Sequence, residues 1–187
     1  HTIGDNELRS LEELSAVFKI DNISNSPSRF DLDQLGFWQK KVIESESTES
    51  LLTWLRKDLS EILPAEIDQN GFVELIRENI VFPKDAADYA KNLFVHSLSS
   101  NKEVSTIIKK TGPNFFNIAR ESTQEYWGDW SKIMRDIGEK SGNKGKELFM
   151  PIRAAITCQL SGPELDQVTK ILDIDRVVRR LEEASQL

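Results

Sequence analysis

The chain has 187 residues, with 24 Lys+Arg against 31 Asp+Glu and a formal net charge of -7. An apolar fraction of 39% is enough for a core and excludes wholesale disorder, while the single cysteine, Cys158, excludes an internal disulfide and a cysteine-based zinc cluster. No apolar run nears the roughly 20 residues that cross a bilayer, residues 1–10 carry no signal-peptide pattern, and the expectation is a cytoplasmic protein without membrane partners.

Helical periodicity runs through nearly every segment. Ser10-Leu11-Glu12-Glu13 is a capping-box pattern, followed by a stripe of Leu11, Leu14, Val17 and Phe18. Asn22 to Phe30 has loop chemistry. Asp31-Leu32-Asp33 starts a short helix that Gly36 is expected to end, and Trp38 to Ile43 is a second short helix. Leu51, Leu52, Trp54, Leu55, Leu59, Ile62 and Leu63 form an amphipathic stripe ending at Pro64. Asp68-Gln69-Asn70-Gly71 reads as a turn before a short helix over Phe72 to Ile80. Pro83 opens the next helical segment, through Leu98.

Short helices follow over Val104 to Lys110 and Phe115 to Trp127, and another carries Trp130, Ile133, Met134 and Ile137. Ser141 to Lys146 is a loop. Phe149 to Ile156 is apolar, interrupted by Pro151 and Arg153. Ser161-Gly162-Pro163 is expected to start a helix, since proline suits a first turn. Asp173 and Asp175 are candidate caps for the last helix. At helical spacing, Trp38, Trp54, Trp127 and Trp130 read as packing residues.

Charge divides the chain. Residues 1–85 hold nine Lys/Arg and seventeen Asp/Glu, whereas residues 86–187 hold fifteen and fourteen. With Pro83 beside this change, the boundary is placed near Phe82 to Asp85. The predicted architecture is all-α: about ten short helices in two packed subdomains, 1–83 and 84–187.

Catalytic signatures are missing. Lys109-Lys110-Thr111-Gly112 lacks the glycine spacing of a phosphate loop. No Ser or Cys nucleophile has a histidine signature beside it. Cys158 and His96 read as structural residues, and the pairs Glu12-Glu13 and Glu182-Glu183 as solvated helix faces. From composition alone the expectation is a non-catalytic helical interaction domain, with no catalytic residue, no metal site and no cofactor.

The segment Gly145-Lys146-Glu147-Leu148-Phe149-Met150-Pro151-Ile152-Arg153-Ala154-Ala155-Ile156-Thr157 is followed by Ser161-Gly162-Pro163-Glu164-Leu165 and by Asp175-Arg176-Val177-Val178-Arg179-Arg180-Leu181. This order resembles the C-terminal anticodon-binding region of bacterial glutamyl-tRNA synthetases. Ser10-Leu11-Glu12-Glu13-Leu14 through Ile23-Ser24, and Ser26 to Asp31, resemble the segment just after that family's catalytic domain. The family's HIGH-like and KMSKS-like ATP signatures are absent. The resemblance therefore implies the stem-contacting and anticodon-binding subdomains, a monomer that binds tRNA, with ATP and Mg²⁺ used elsewhere on a longer ligase.

Unpaired anticodon bases can be read on their hydrogen-bonding edges, and arginine brings a fixed fork of donors. By matched position, Arg153 is the leading anticodon-binding candidate; an internal ion pair to Glu147 or Asp166 is the alternative. Gly162, Pro163 and Leu165 match the segment that packs on the first anticodon base in relatives, or they are an ordinary helix start. Arg135 matches another anticodon-reaching position, or is a surface arginine. Lys144, Lys146 and Arg77 are candidate phosphate contacts. Asn79 stands where relatives restricted to glutamate-type tRNA have an arginine on the third anticodon base. That departure implies acceptance of glutamine-type tRNA as well. Cys158 stands where the family usually has glycine.

Overall fold

The computed structural model describes residues 8–23 and 31–187, apart from the Asn22 side chain. The expected loop and the resembling stretch at residues 24–30 lie outside them. Among the described residues there are eleven α-helices and no strand: α1 (Leu11–Val17), α2 (Leu32–Ser45), α3 (Thr48–Leu59), α4 (Gln69–Ile76), α5 (Pro83–Phe94), α6 (Lys102–Thr111), α7 (Pro113–Glu125), α8 (Trp130–Ser141), α9 (Lys146–Thr157), α10 (Leu165–Ile171) and α11 (Ile174–Ser185). Single 3₁₀ turns cover Ile20–Asn22, Arg77–Asn79 and Leu98–Ser100. No helix among the described residues is long and apolar enough to cross a membrane. The fold class is all-α, as the periodicity predicts.

Side-chain caps set most of the helix starts. Ser10 and Glu13 close the expected capping box: Ser10 Oγ accepts the Glu13 N–H, and the Glu13 carboxylate accepts the Ser10 N–H. Asp173 caps α11 by accepting the Arg176 N–H at 2.7 Å. Three starts or stops differ from the sequence reading. Gly36 does not end a helix. Asp31 Oδ1 accepts the N–H groups of Asp33 and Gln34, and α2 runs on to Ser45. One glycine costs about 1 kcal/mol against alanine, too little to break a capped helix.

Asp68-Gln69-Asn70-Gly71 is not a turn before a helix but the first turn of α4, because Asp68 accepts the Asn70 N–H. A Cβ at Gly71 would stand 2.8 Å from Ile171 Cδ1, so glycine lets α10 approach α4 closely. Pro163 does not open the following helix: Glu164 is the N-cap and α10 begins at Leu165. Pro151 sits inside α9. Its missing N–H leaves the Glu147 carbonyl without its helical donor, and Asn143 Nδ2 reaches that carbonyl at 3.4 Å.

The buried apolar cluster is continuous from Ile43 to Ala184 and crosses Phe82–Asp85 without a break. Within it α3 packs on α4 and α5, α6 on α9, and α11 on α7 and α9. Arg180, buried on α11, donates to carbonyls at the end of α5. The N-terminal stripe stays outside this core: Leu11 is 81% exposed and Leu32 71%.

Candidate nucleic-acid interface

Arg153 sits on α9, half-buried, because its neighbours Ile152, Ala154, Ala155 and Ile156 all face the core. Its Nη1 donates to the Pro163 carbonyl at 2.8 Å. Neither proposed carboxylate partner holds it. Asp166 faces Lys170 Nζ at 3.7 Å and Gln167 Nε2 at 2.9 Å instead. Among the described residues the other guanidinium N–H groups of Arg153 have no acceptor, and they are not sealed from water. Arg153 is thus an unneutralised cation that also ties α9 to the segment entering α10.

That segment is held from the other side by Tyr89 of α5. Gly162 has φ +131°, and a Cβ there would meet the Tyr89 ring and hydroxyl at 3.1 Å. Burial pushes the Tyr89 phenol above its ordinary pKa, while the nearby charge of Arg153 acts the other way. Glycine is required here on both counts, strain and space.

Pro163 and Asn79 meet across a groove of about 450 Å³ between the α4 end and the α10 start. Glu74, Glu78, Glu164, Gln167 and Lys170 complete its polar lining, and Leu75 and Ile171 add apolar surface. The carboxylates make it rich in acceptors. Two predicted site residues, separated by more than eighty positions in sequence, thus share one hollow.

Other candidates fall elsewhere. Leu165 is 4% exposed and belongs to the core, so its side chain is not the apolar contact expected for a base. Arg77 is not a loose phosphate ligand. It donates to Glu46 O at 2.6 Å, to Glu74 Oε1 at 2.6 Å and to Thr48 Oγ1 at 3.1 Å, locking the α2–α3 junction onto α4. The Thr48 hydroxyl also donates to Glu74. This hydroxyl and Arg77 together hold the Glu74 carboxyl below its ordinary pKa. Arg135 is exposed on α8 without an ion pair, one turn before Gly138, which faces Leu148 of α9. Lys144 and Lys146 are exposed around the start of α9.

The tryptophans divide. Trp127 and Trp130 pack partly against the core and face a hollow of about 620 Å³ beside Thr169, Lys170 and Asp173. Trp54 is 37% exposed, so helical spacing alone misplaces it. Cys158 is fully buried, and burial pushes its thiol pKa up, against a nucleophilic role. It ends α9 at φ 53°, a left-handed cap that glycine fills without strain. Sequence reasoning missed Tyr89 and Gln167, whose roles come only from the approach of α5 and α10.

The family model described as an anticodon binding domain matches residues 48–185. Glutamate–tRNA ligase 1 of Methylococcus capsulatus is 34% identical over 183 residues, which is 98% of this chain and 39% of that protein. Glutamate–tRNA ligase 1 of Halorhodospira halophila is 34% identical over 187 residues, 100% of this chain and 39% of that protein. The chain therefore spans about 40% of the length of such relatives. A crystal structure of the glutamate–tRNA synthetase from Elizabethkingia anophelis superposes with TM-score 0.76 at 18% identity, covering 96% of this chain and 36% of that one, which shows a shared fold. With the match running from α3 to the end of α11 over the same helices that carry Arg153 and the Asn79–Pro163 groove, the chain belongs to the anticodon-binding domain family.

Proposed function

We propose that this chain is the tRNA-binding, C-terminal region of a cytoplasmic glutamate–tRNA ligase and that it recognises the anticodon without making the ester bond. The supporting observation is the family match over residues 48–185, on a chain whose Arg153 keeps an unneutralised charge. Residues 84–187, together with the Asn79 side of the groove, then face the anticodon loop, and the rest of residues 1–83 the stem. In this reading ATP and Mg²⁺ serve the longer ligase, and no role in this chain is assigned to them.

Arg153 has donors left for a base edge or a phosphate after serving Pro163. Asn79 bears on which tRNA is accepted. The third anticodon base is cytosine in glutamate-type tRNA and guanine in glutamine-type tRNA. An arginine suits the acceptors of cytosine, whereas guanine presents two donor groups. Asn79 offers an amide oxygen, and Glu78 and Glu164 stand in the same groove with further acceptors. The groove therefore tolerates guanine.

Titration of the chain with glutamate-type tRNA across a KCl series tests the reading. Binding is expected, falling as salt rises and weakened by Arg153→Lys and further by Arg153→Ala. No binding at low salt refutes it and leaves the helical protein-interaction reading, which the exposed Leu11 and Leu32 favour. Glutamine-type tRNA is expected to bind within about tenfold of glutamate-type; exclusion beyond that refutes the role given to Asn79.

A further inference from the structure

An exposed ring on α9 lies outside every role assigned above. Phe149 is 49% exposed, while Leu148 beside it is 7% exposed and fills the core. At about 100° per residue, Lys146, Phe149 and Arg153 fall within an arc of roughly 60° on the helix. Leu148, Pro151, Ile152, Ala154 and Ala155 make up the buried side, and Ile156 and Thr157, on the strip's own arc in the last turn, are buried too, so the strip ends at Arg153. At 1.5 Å rise per residue the three side chains spread over about 10 Å. Glu147 points about 100° away from Lys146, so no carboxylate of α9 enters the strip.

The order along this strip is cation, ring, cation. Neither flanking cation is neutralised among the described residues: Lys146 is exposed and forms no ion pair there, and Arg153 gives one N–H to the Pro163 carbonyl. A half-exposed phenylalanine contributes little to the core, so packing does not explain a ring at this position. What fits is a flat, uncharged π-face with negative charge on both sides of it. A single nucleotide in an unpaired RNA strand has this form, with a base between two phosphates.

We propose that Phe149 is a stacking platform for one unpaired base of the bound RNA, with Lys146 and Arg153 on the flanking phosphates. This rests on the reading of the chain as a tRNA-binding module. Stacking on a protein ring takes any base, so Phe149 adds affinity without selecting sequence. The selective contacts stay with the Asn79–Pro163 groove.

The test uses the whole chain and a glutamate-type tRNA transcript, with Phe149→Ala, Phe149→Leu, Phe149→Trp and Lys146→Ala compared over a KCl series. Phe149→Ala is expected to weaken binding about 5- to 100-fold, with an unchanged melting temperature. Phe149→Leu should bind no better than Phe149→Ala, and Phe149→Trp should restore binding. The slope of log K against log salt should stay fixed in Phe149→Ala and flatten by about one unit in Lys146→Ala. Wild-type affinity in Phe149→Ala or Phe149→Leu overturns the stacking role and leaves the tRNA-binding reading intact. A wild-type chain that does not bind tRNA overturns both.

Discussion

Arg180 should be the costliest single side chain to remove from α11. It is 8% exposed. Its guanidinium donates to the carbonyls of Asn92 at 2.8 Å, His96 at 2.7 Å and Leu93 at 3.3 Å, and to Glu183 Oε2 at 3.3 Å. Asn92 and Leu93 lie in the last turn of α5, where carbonyls lack helical donors. A cation there also meets the negative end of the helix dipole. Glu183 turns its other oxygen to the Leu98 N–H at 2.7 Å. Arg180→Met keeps the stem and removes every donor. Breaking a buried pair costs about 3–5 kcal/mol. The Glu183 side chain is 34% exposed and can rehydrate, which favours the low end, about 3 kcal/mol. For a chain of this size that lowers the melting temperature by about 6–12 °C. Arg180→Lys should fall between, since a point charge cannot span three carbonyls. Urea and thermal denaturation measure both. A loss under about 1 kcal/mol for Arg180→Met would show that water serves these carbonyls and would refute the role given to the guanidinium.

Gly162→Ala forces a Cβ to φ +131° and against Tyr89. A loss of about 1–3 kcal/mol in urea denaturation is expected, with weaker tRNA binding because Pro163 and Arg153 move together. Glu74 and Asp136 both have carboxyl pKa values held below the ordinary carboxylate range. Thr48 and Arg77 act on Glu74, and Lys140 and Ser122 act on Asp136. Such groups stabilise the fold above their unfolded pKa values, and that contribution disappears as pH falls through the folded ones. Stability should therefore drop below about pH 4, and less steeply in Glu74→Gln/Asp136→Asn; identical acid profiles would refute this. Cys158, buried and with a raised thiol pKa, should react with a thiol reagent only as fast as the chain opens in urea.

The helices were legible because their apolar residues keep a 3.6-residue period, and the caps Ser10, Asp31 and Asp173 stand where sequence places them. Helix ends set by competition were not. Gly36 and Gly71 look like breakers, yet each costs less than the capping and packing around it returns. Leu165 follows the GPEL pattern, but the pattern does not say which side of the two-turn α10 meets α4, and that decides its burial. Arg77 reads as a basic surface residue until the α2–α3 junction supplies three acceptors.

Phase along a helix separates exposed residues from core residues more sharply than residue type does in the first turn of α9. On α9 the sequence Leu148-Phe149 gives two apolar neighbours, about 100° apart, one buried and one exposed. Arg153 lies near the exposed one and keeps its charge because no acid shares that arc. A hydrogen bond to a carbonyl fixes its position without neutralising it. An ion pair to Asp166 would have fixed the same geometry and removed the attraction for phosphate. The choice of a backbone acceptor over a carboxylate therefore lets one arginine hold the entry to α10 while its charge stays unneutralised.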